Sequence, residues 1–150
     1  MQKQQSGFTL IEVMIVAAIL AILAGIAYPS YMAQVRKSNR ADAMVLINEV
    51  AQRMQRCFTA QNTYKPKEKG TCAVVDEVTD SAGIISNEEL YVAKLASGDH
   101  TETTYLLKVT PVSGTSQASD NDCKTFTLSQ TGVRKAFNGS NVDTTDSCWK

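Results

Sequence analysis

Gly7 to Tyr31 reads GFTLIEVMIVAAILAILAGIAYPSY, and within it residues 8–28 carry a single charge, Glu12. As a helix rising about 1.5 Å per residue, that run reaches roughly 31 Å, the hydrocarbon thickness of a bilayer. It is long enough to cross a membrane once. Lys3 precedes it, so by the positive-inside rule everything after Tyr28 is expected on the far side. A secretory signal peptide is the first competitor. Its apolar core is usually about 7–15 residues, and Tyr28-Pro29-Ser30-Tyr31-Met32 lacks the small-x-small residues of a cleavage site.

The whole chain sets the frame. It has 150 residues, 43% apolar and 20% charged, which is ordinary for a folded protein and wrong for a disordered one. Fifteen basic and 15 acidic side chains cancel, so neither a basic surplus for nucleic acid nor an acidic solvating tail stands out. Residues 29–150 suffice for one small core and not for two domains.

Glu12 is costly where it lies. A carboxylate inside a membrane helix costs about 2.5–3.5 kcal/mol even on lenient insertion scales, which makes it a functional hypothesis by default. Such a group wants a cation. If the chain is cut after Gly7, the new α-amino group of Phe8 supplies one, either a helical turn away or at the same depth on a neighbouring subunit. Pro29 closes the apolar run by removing the amide that would reach the carbonyl of Gly25, so a bend or local melting is expected there.

Beyond Pro29 the helical period continues. Ala43, Leu46, Ile47, Val50, Met54 and Phe58 recur at steps of three and four, predicting an amphipathic helix to about Phe58 whose apolar face needs a partner. Arg36, Lys37 and Arg40 form a basic cluster on it, readable as a solvated face, a lipid-headgroup or nucleic-acid patch, or a filament contact.

The string from Gly7 to Tyr31 resembles the class III signal sequence of type IV pilins and their pseudopilin relatives, with Gly7-Phe8-Thr9-Leu10-Ile11-Glu12 as its core. The resemblance implies that a membrane-embedded prepilin peptidase cuts between Gly7 and Phe8 and that Phe8 is then N-methylated. It implies that Glu12 pairs with the N-terminal amine of an adjoining subunit during assembly, and that the stretch around Gly25 and Pro29 loosens when subunits polymerise. It also implies partners: other pilins, an inner-membrane assembly platform and a cytoplasmic ATPase. A buried acid of this kind fixes register between subunits more than it adds net stability.

Four cysteines beyond a translocating anchor read as two disulfides in an oxidising compartment, with three pairings open. Local closure favours Cys57 with Cys72 and Cys123 with Cys148. The resemblance agrees, because type IV pilins with a disulfide-bounded C-terminal region commonly end a few residues after the last cysteine, as Cys148-Trp149-Lys150 does. Residues 59–90 are polar and irregular, with a loop at Lys65 to Gly70. Tyr91 to Leu95, Thr104 to Val112, Cys123 to Ser129 and Val133 to Phe137 carry strand signals, the last two joined by a turn at Gln130-Thr131-Gly132. The expected fold is therefore α+β: a long helix, transmembrane and then amphipathic, packed on a four-stranded antiparallel sheet in the pilin lollipop arrangement.

Residues 123–139, CKTFTLSQTGVRKAFNG, more loosely resemble the last hairpin of four-cysteine type IVa pilins, a group that includes DNA-receptor minor pilins. Arg134 and Lys135 just past the turn are accordingly candidate DNA contacts, with Lys65, Lys67, Lys69, Trp149 and Lys150 in surface-like stretches elsewhere. Scattered solvated lysines on a neutral domain are the competing explanation. No metal is expected, since no C-x-x-C pair exists and His100 is the sole histidine. Asp120-Asn121-Asp122 and Asp143 to Asp146 lack the spacing of a calcium loop, and Asn138-Gly139-Ser140 matches a glycosylation sequon. No nucleophile has a credible base, so no catalytic residue, enzyme activity or cofactor is expected.

These readings divide the chain into a cleaved leader (1–7), an assembly helix (8–28), its amphipathic continuation (29–58) and a globular head (59–150). The expected product is a structural pilus subunit serving motility, adhesion or DNA uptake. It sits in the inner membrane with a periplasmic head before assembly and in an extracellular filament afterwards. Two alternatives are a minor pilin that binds DNA and a type II secretion pseudopilin.

Overall fold

The computed structural model describes residues 8–95, 98 and 100–150; Gly7 and the rest of the leader lie outside the described residues. The chain divides into two compact units at the Val35/Arg36 junction. One helix, α1, runs Leu10–Gln61 through that junction.

In the first unit the apolar side chains have nothing to cover them. Leu10 is 78% exposed and Ile26 74% exposed, with the side chains between them also facing outward. This is the one described helix long and apolar enough to cross a membrane. Of the bend or local melting expected at Pro29, the melting is absent here, because α1 continues through both Gly25 and Pro29. A proline removes a single amide donor, and the intact hydrogen bonds on either side hold the helix across the gap.

In the second unit, Arg36–Lys150, the amphipathic stretch of α1 buries Ala43, Leu46, Ile47, Val50, Met54 and Cys57. The helix ends three residues later than the periodicity of its apolar face predicts. Asn62 there takes a left-handed conformation, φ 55°, and its amide reaches the Phe58 carbonyl at 2.7 Å. Asparagine tolerates that conformation, which suits it to end a helix.

The sheet has five strands rather than four, in the order β1-β2-β3-β4-β5, every neighbour antiparallel. They are β1 (Ile84–Ile85), β2 (Tyr91–Lys94), β3 (Leu106–Pro111), β4 (Thr125–Ser129) and β5 (Arg134–Phe137). The added strand is two residues long, too short to show any alternation. Tyr91, Ala93, Leu107, Val109, Phe126, Leu128 and Ala136 point to one face and share a single core with the buried residues of α1. The opposite face carries Lys94, Leu106, Lys108, Thr127 and Lys135.

Two short α-helices complete the described elements, the first of them inside the stretch expected to be irregular. In α2 (Ala73–Thr79), Val74, Val75 and Val78 are buried. Three valines and Thr79 make four β-branched residues in seven, a poor helix by propensity, so burial holds it where local preference does not. The last helix, α3 (Thr145–Cys148), adjoins β5. Disulfides join Cys57 to Cys72 and Cys123 to Cys148, with Cα–Cα distances of 5.9 and 5.8 Å.

Candidate functional site

The N-terminal unit presents Phe8, 84% exposed, and Glu12 in the first turn of α1. The Glu12 amide donates to Thr9 Oγ1 at 3.3 Å, so Thr9 caps the helix. Thr9-Leu10-Ile11-Glu12 has the S/T-x-x-E spacing of a capping box, a signal the sequence reading passed over. An acid in the first turn also sits favourably against the positive end of the helix dipole. Among the described residues no cation forms an ion pair with Glu12. Gly25 and Pro29 lie in continuous helix, and Gly25 has open space around its α-carbon.

On the head, β5 carries the two candidate DNA contacts. Successive strand residues face opposite sides of the sheet, yet at this edge strand Arg134 and Lys135 both reach the lining of one cavity. The Arg134 guanidinium carbon lies 5.1 Å from the centroid of the Trp149 ring, within range of a cation–π contact. Trp149 is in turn fixed by a hydrogen bond from Nε1 to the Lys135 carbonyl at 3.0 Å and by edge contact with Phe126 at 5.7 Å. Lys135 Nζ stands 4.0 Å from Asp143 Oδ2 with both side chains more than half exposed. A cavity of about 580 Å³ opens beside Arg134, Lys135, Asp143, Thr145 and Asp146. Its charge is mixed, because Asp143 accepts from Thr145 Oγ1 at 2.6 Å and from the Thr145 amide at 3.0 Å. Those bonds hold the carboxyl below its usual range, with Lys135 adding a smaller pull.

The remaining cations are dispersed. Lys65, Lys67 and Lys69 are exposed on the loop bounded by the Cys57–Cys72 disulfide, and Lys150 is exposed beyond α3. Arg40 is withdrawn from the basic cluster on α1 by Asp120, to which it donates from Nε at 2.7 Å and from Nη2 at 2.9 Å. Burial and turn geometry account for the acidic segments: Asp120 Oδ1 accepts from the amides of Asp122 and Cys123 at 3.2 and 3.4 Å. Among the described residues no group of three or more His, Cys, Asp or Glu side chains is placed to hold a metal ion.

Comparison with known proteins follows the same division of the chain. Residues 2–28 match the prokaryotic N-terminal methylation motif. Residues 29–127 match the family described as type IV minor pilin ComP, DNA uptake sequence receptor. A type IV major fimbrial protein FimA of Dichelobacter nodosus is 34% identical over 70% of this chain and 58% of its own length. The type II secretion system core protein G of Aeromonas hydrophila is 38% identical over 52% of this chain and 54% of its own. The chain spans about half of the length of such curated relatives. The crystal structure of the Neisseria meningitidis non-core minor pilin PilV shares the fold, with a TM-score of 0.51 at 16% identity over 73% of this chain and 93% of that one. With the methylation motif in front and most of the remainder inside the second match, the chain belongs to the type IV pilins, in the ComP minor-pilin family.

Proposed function

We propose that this chain is a structural subunit of a type IV pilus. Prepilin peptidase cuts between Gly7 and Phe8, Phe8 is N-methylated, and residues 8–28 hold the subunit in the inner membrane with its head in the periplasm. A platform and a cytoplasmic ATPase then move it into the filament. The observation that supports this is an apolar helix with no cover of its own, bearing one acid that no described cation pairs. An isolated membrane anchor gains from such an acid only a better start to its first turn, whereas in a polymer the amine of the next subunit's Phe8 fixes the register. Contacts of this kind are heterologous and do not close, so they propagate into a helical array.

Mass spectrometry of the mature chain and a Glu12 variant test the reading together. The expected N-terminus is methylated Phe8, and Glu12→Ala is expected to insert normally yet yield no filaments. A chain that keeps Met1, or a Glu12→Ala variant that assembles like its parent, overturns it.

A second reading rests on Arg134 held over Trp149, a cation and an aromatic ring together at the head surface. The matched family is described as a DNA uptake sequence receptor, and such a pair suits phosphate contact and base stacking. Full-length protein in neutral detergent is expected to bind DNA with strong salt dependence and to lose that binding in the Arg134→Ala, Lys135→Ala double variant. No binding at low salt removes this role and leaves the subunit reading standing. The secretion-pseudopilin alternative predicts short periplasmic fibres where the pilus reading predicts long surface filaments.

A further inference from the structure

Charge alone leaves the apolar part of α1 free to slide in a membrane. Residues 13–35, between Glu12 and Arg36, carry no charge. As a helix they span about 34 Å, against a hydrocarbon layer of about 30 Å. Keeping both charges out of the acyl chains therefore still allows several ångströms of play. Two aromatic side chains stand where that play would be felt. Tyr28 closes the apolar run and Tyr31 follows three residues later, so both lie on one side of α1. Each is 65% exposed, and neither phenol hydroxyl bonds to another described residue.

A tyrosine is apolar along its ring and wet at its hydroxyl, which suits it to the boundary between acyl chains and headgroups rather than to either side of it. Placing Tyr28 at the periplasmic boundary fixes the depth of everything before it. Glu12 then lies about 24 Å down the helix and Phe8 about 30 Å. The Glu12 backbone is thus about 6 Å inside the cytoplasmic boundary, shallow enough for its carboxylate to reach headgroup water. A tilt of about 20° shortens the 24 Å to about 23 Å and leaves that depth nearly unchanged.

We propose that Tyr28 and Tyr31 are a paired anchor for the headgroup boundary of the lipid bilayer, and that they set the depth of the helix so that Glu12 stays at the cytoplasmic boundary until the subunit is extracted. The proposal rests on residues 8–28 holding the subunit in the inner membrane. Leucine is the discriminating replacement. It is apolar but has no hydroxyl to keep wet, so Tyr28→Leu, Tyr31→Leu lengthens the stretch that hydrocarbon accepts and lets the periplasmic end sink. Tryptophan keeps an apolar ring with a polar N–H, so Tyr28→Trp, Tyr31→Trp holds the depth. The anchor acts before polymerisation and is tested on the unassembled chain.

The four native cysteines are bridged, so an added cysteine supplies the sole thiol for labelling. Full-length processed protein is reconstituted at high lipid excess in vesicles of phosphatidylethanolamine and phosphatidylglycerol and treated with a membrane-impermeant maleimide. Ser38→Cys counts the chains whose heads face outward, Gly25→Cys lies inside the apolar run, and Ser30→Cys stands between the tyrosines. Relative to Ser38→Cys, Gly25→Cys is expected to be protected and Ser30→Cys to label freely. The leucine pair is expected to slow labelling at Ser30→Cys severalfold, and the tryptophan pair to leave it at the parental rate. An unchanged rate with the leucine pair, equal slowing by both pairs, or a Ser30→Cys already protected beside the native tyrosines overturns the proposal and leaves the membrane helix standing. Labelling of Gly25→Cys as fast as Ser38→Cys means that the run is not in the bilayer, and overturns both.

Discussion

Arg40 and Asp120, eighty positions apart in the chain, form a two-pronged ion pair in which the carboxylate side chain is 2% exposed and the guanidinium side chain 12%. Gln117 Nε2 completes the cluster by donating to Asp120 Oδ2 and to the Arg36 carbonyl, both at 3.1 Å, which ties α1 to the loop ahead of β4. The hydrogen bond that Arg40 donates to Asp120 holds the Arg40 pKa above its ordinary value despite the opposing effect of burial. Removing one member of such a pair leaves an uncompensated buried charge. Arg40→Ala is therefore expected to lower stability by about 3–5 kcal/mol in urea unfolding. Arg40→Lys should recover only part of that, because an ammonium cannot reproduce the two-pronged geometry.

Both disulfides are expected to stabilise by constraining the unfolded chain, at about 3 kcal/mol each for separations of 15 and 25 residues. Their losses should look different. Cys148 adjoins Trp149, whose ring touches Phe126 and Arg134, so replacing Cys123 and Cys148 by serine should release that ring and red-shift the fluorescence of the sole tryptophan. Replacing Cys57 and Cys72 should lower the unfolding midpoint by a similar amount without moving the emission. Equal emission changes would show that Trp149 is not held by the C-terminal bridge.

How legible the fold was depended on the range of the interactions involved. The uncovered run 8–28 and the spacing from Ala43 to Met54 are local patterns, and both appear as α1. Val109, Phe126 and Leu128 alternate with polar neighbours, and all three are buried on one face. What escaped the sequence was set by distant partners. Val74, Val75 and Val78 form a helix against their own propensity because the core takes them, and Ile84–Ile85 becomes a strand only because β2 lies beside it. Arg40 reads as one of three surface cations until Asp120 arrives from eighty residues away. The pairing of Lys94 with Lys108 across β2 and β3 exists only in the register, which depends on a connection that carries no period. The opposite facing of Arg134 and Lys135 was within reach, since strand alternation alone puts neighbours on opposite faces.

Three buried tyrosines predict how the head fails in base. Burial raises the pKa of Tyr91, Tyr105 and Tyr64 above the ordinary 10.0, and the charge of Asp120 pushes Tyr91 further. Each folded-state phenol keeps its proton after the unfolded one has lost it. The stabilising contribution is thus complete below pH 10 and is lost as pH rises from there toward the folded-state values. Each group adds about 1.4 kcal/mol per pH unit to the decline while only the unfolded form titrates. Unfolding midpoints are expected to be flat up to about pH 9 and then fall, and Tyr91→Phe should remove one group's share of the slope. A parent and variant with the same alkaline slope would count against a buried, neutral Tyr91.

Gly83 is where β1 depends on a missing side chain. Its φ is +74°, and a β-carbon there would lie 2.6 Å from the Ala93 carbonyl oxygen, a backbone atom held by the pairing of β1 with β2. Gly132, in the turn between β4 and β5, also has a positive φ, +81°, but nothing lies within 4 Å of its would-be β-carbon. The two glycines therefore separate conformational cost from collision. Gly132→Ala should cost only the left-handed penalty of about 1–2 kcal/mol. Gly83→Ala adds a clash with a fixed carbonyl and should cost more, with faster hydrogen exchange at the amides of β1 and unchanged exchange in the β4–β5 hairpin. Equal costs for the two substitutions would mean that Ala93 yields freely and that β1 is not anchored at this point.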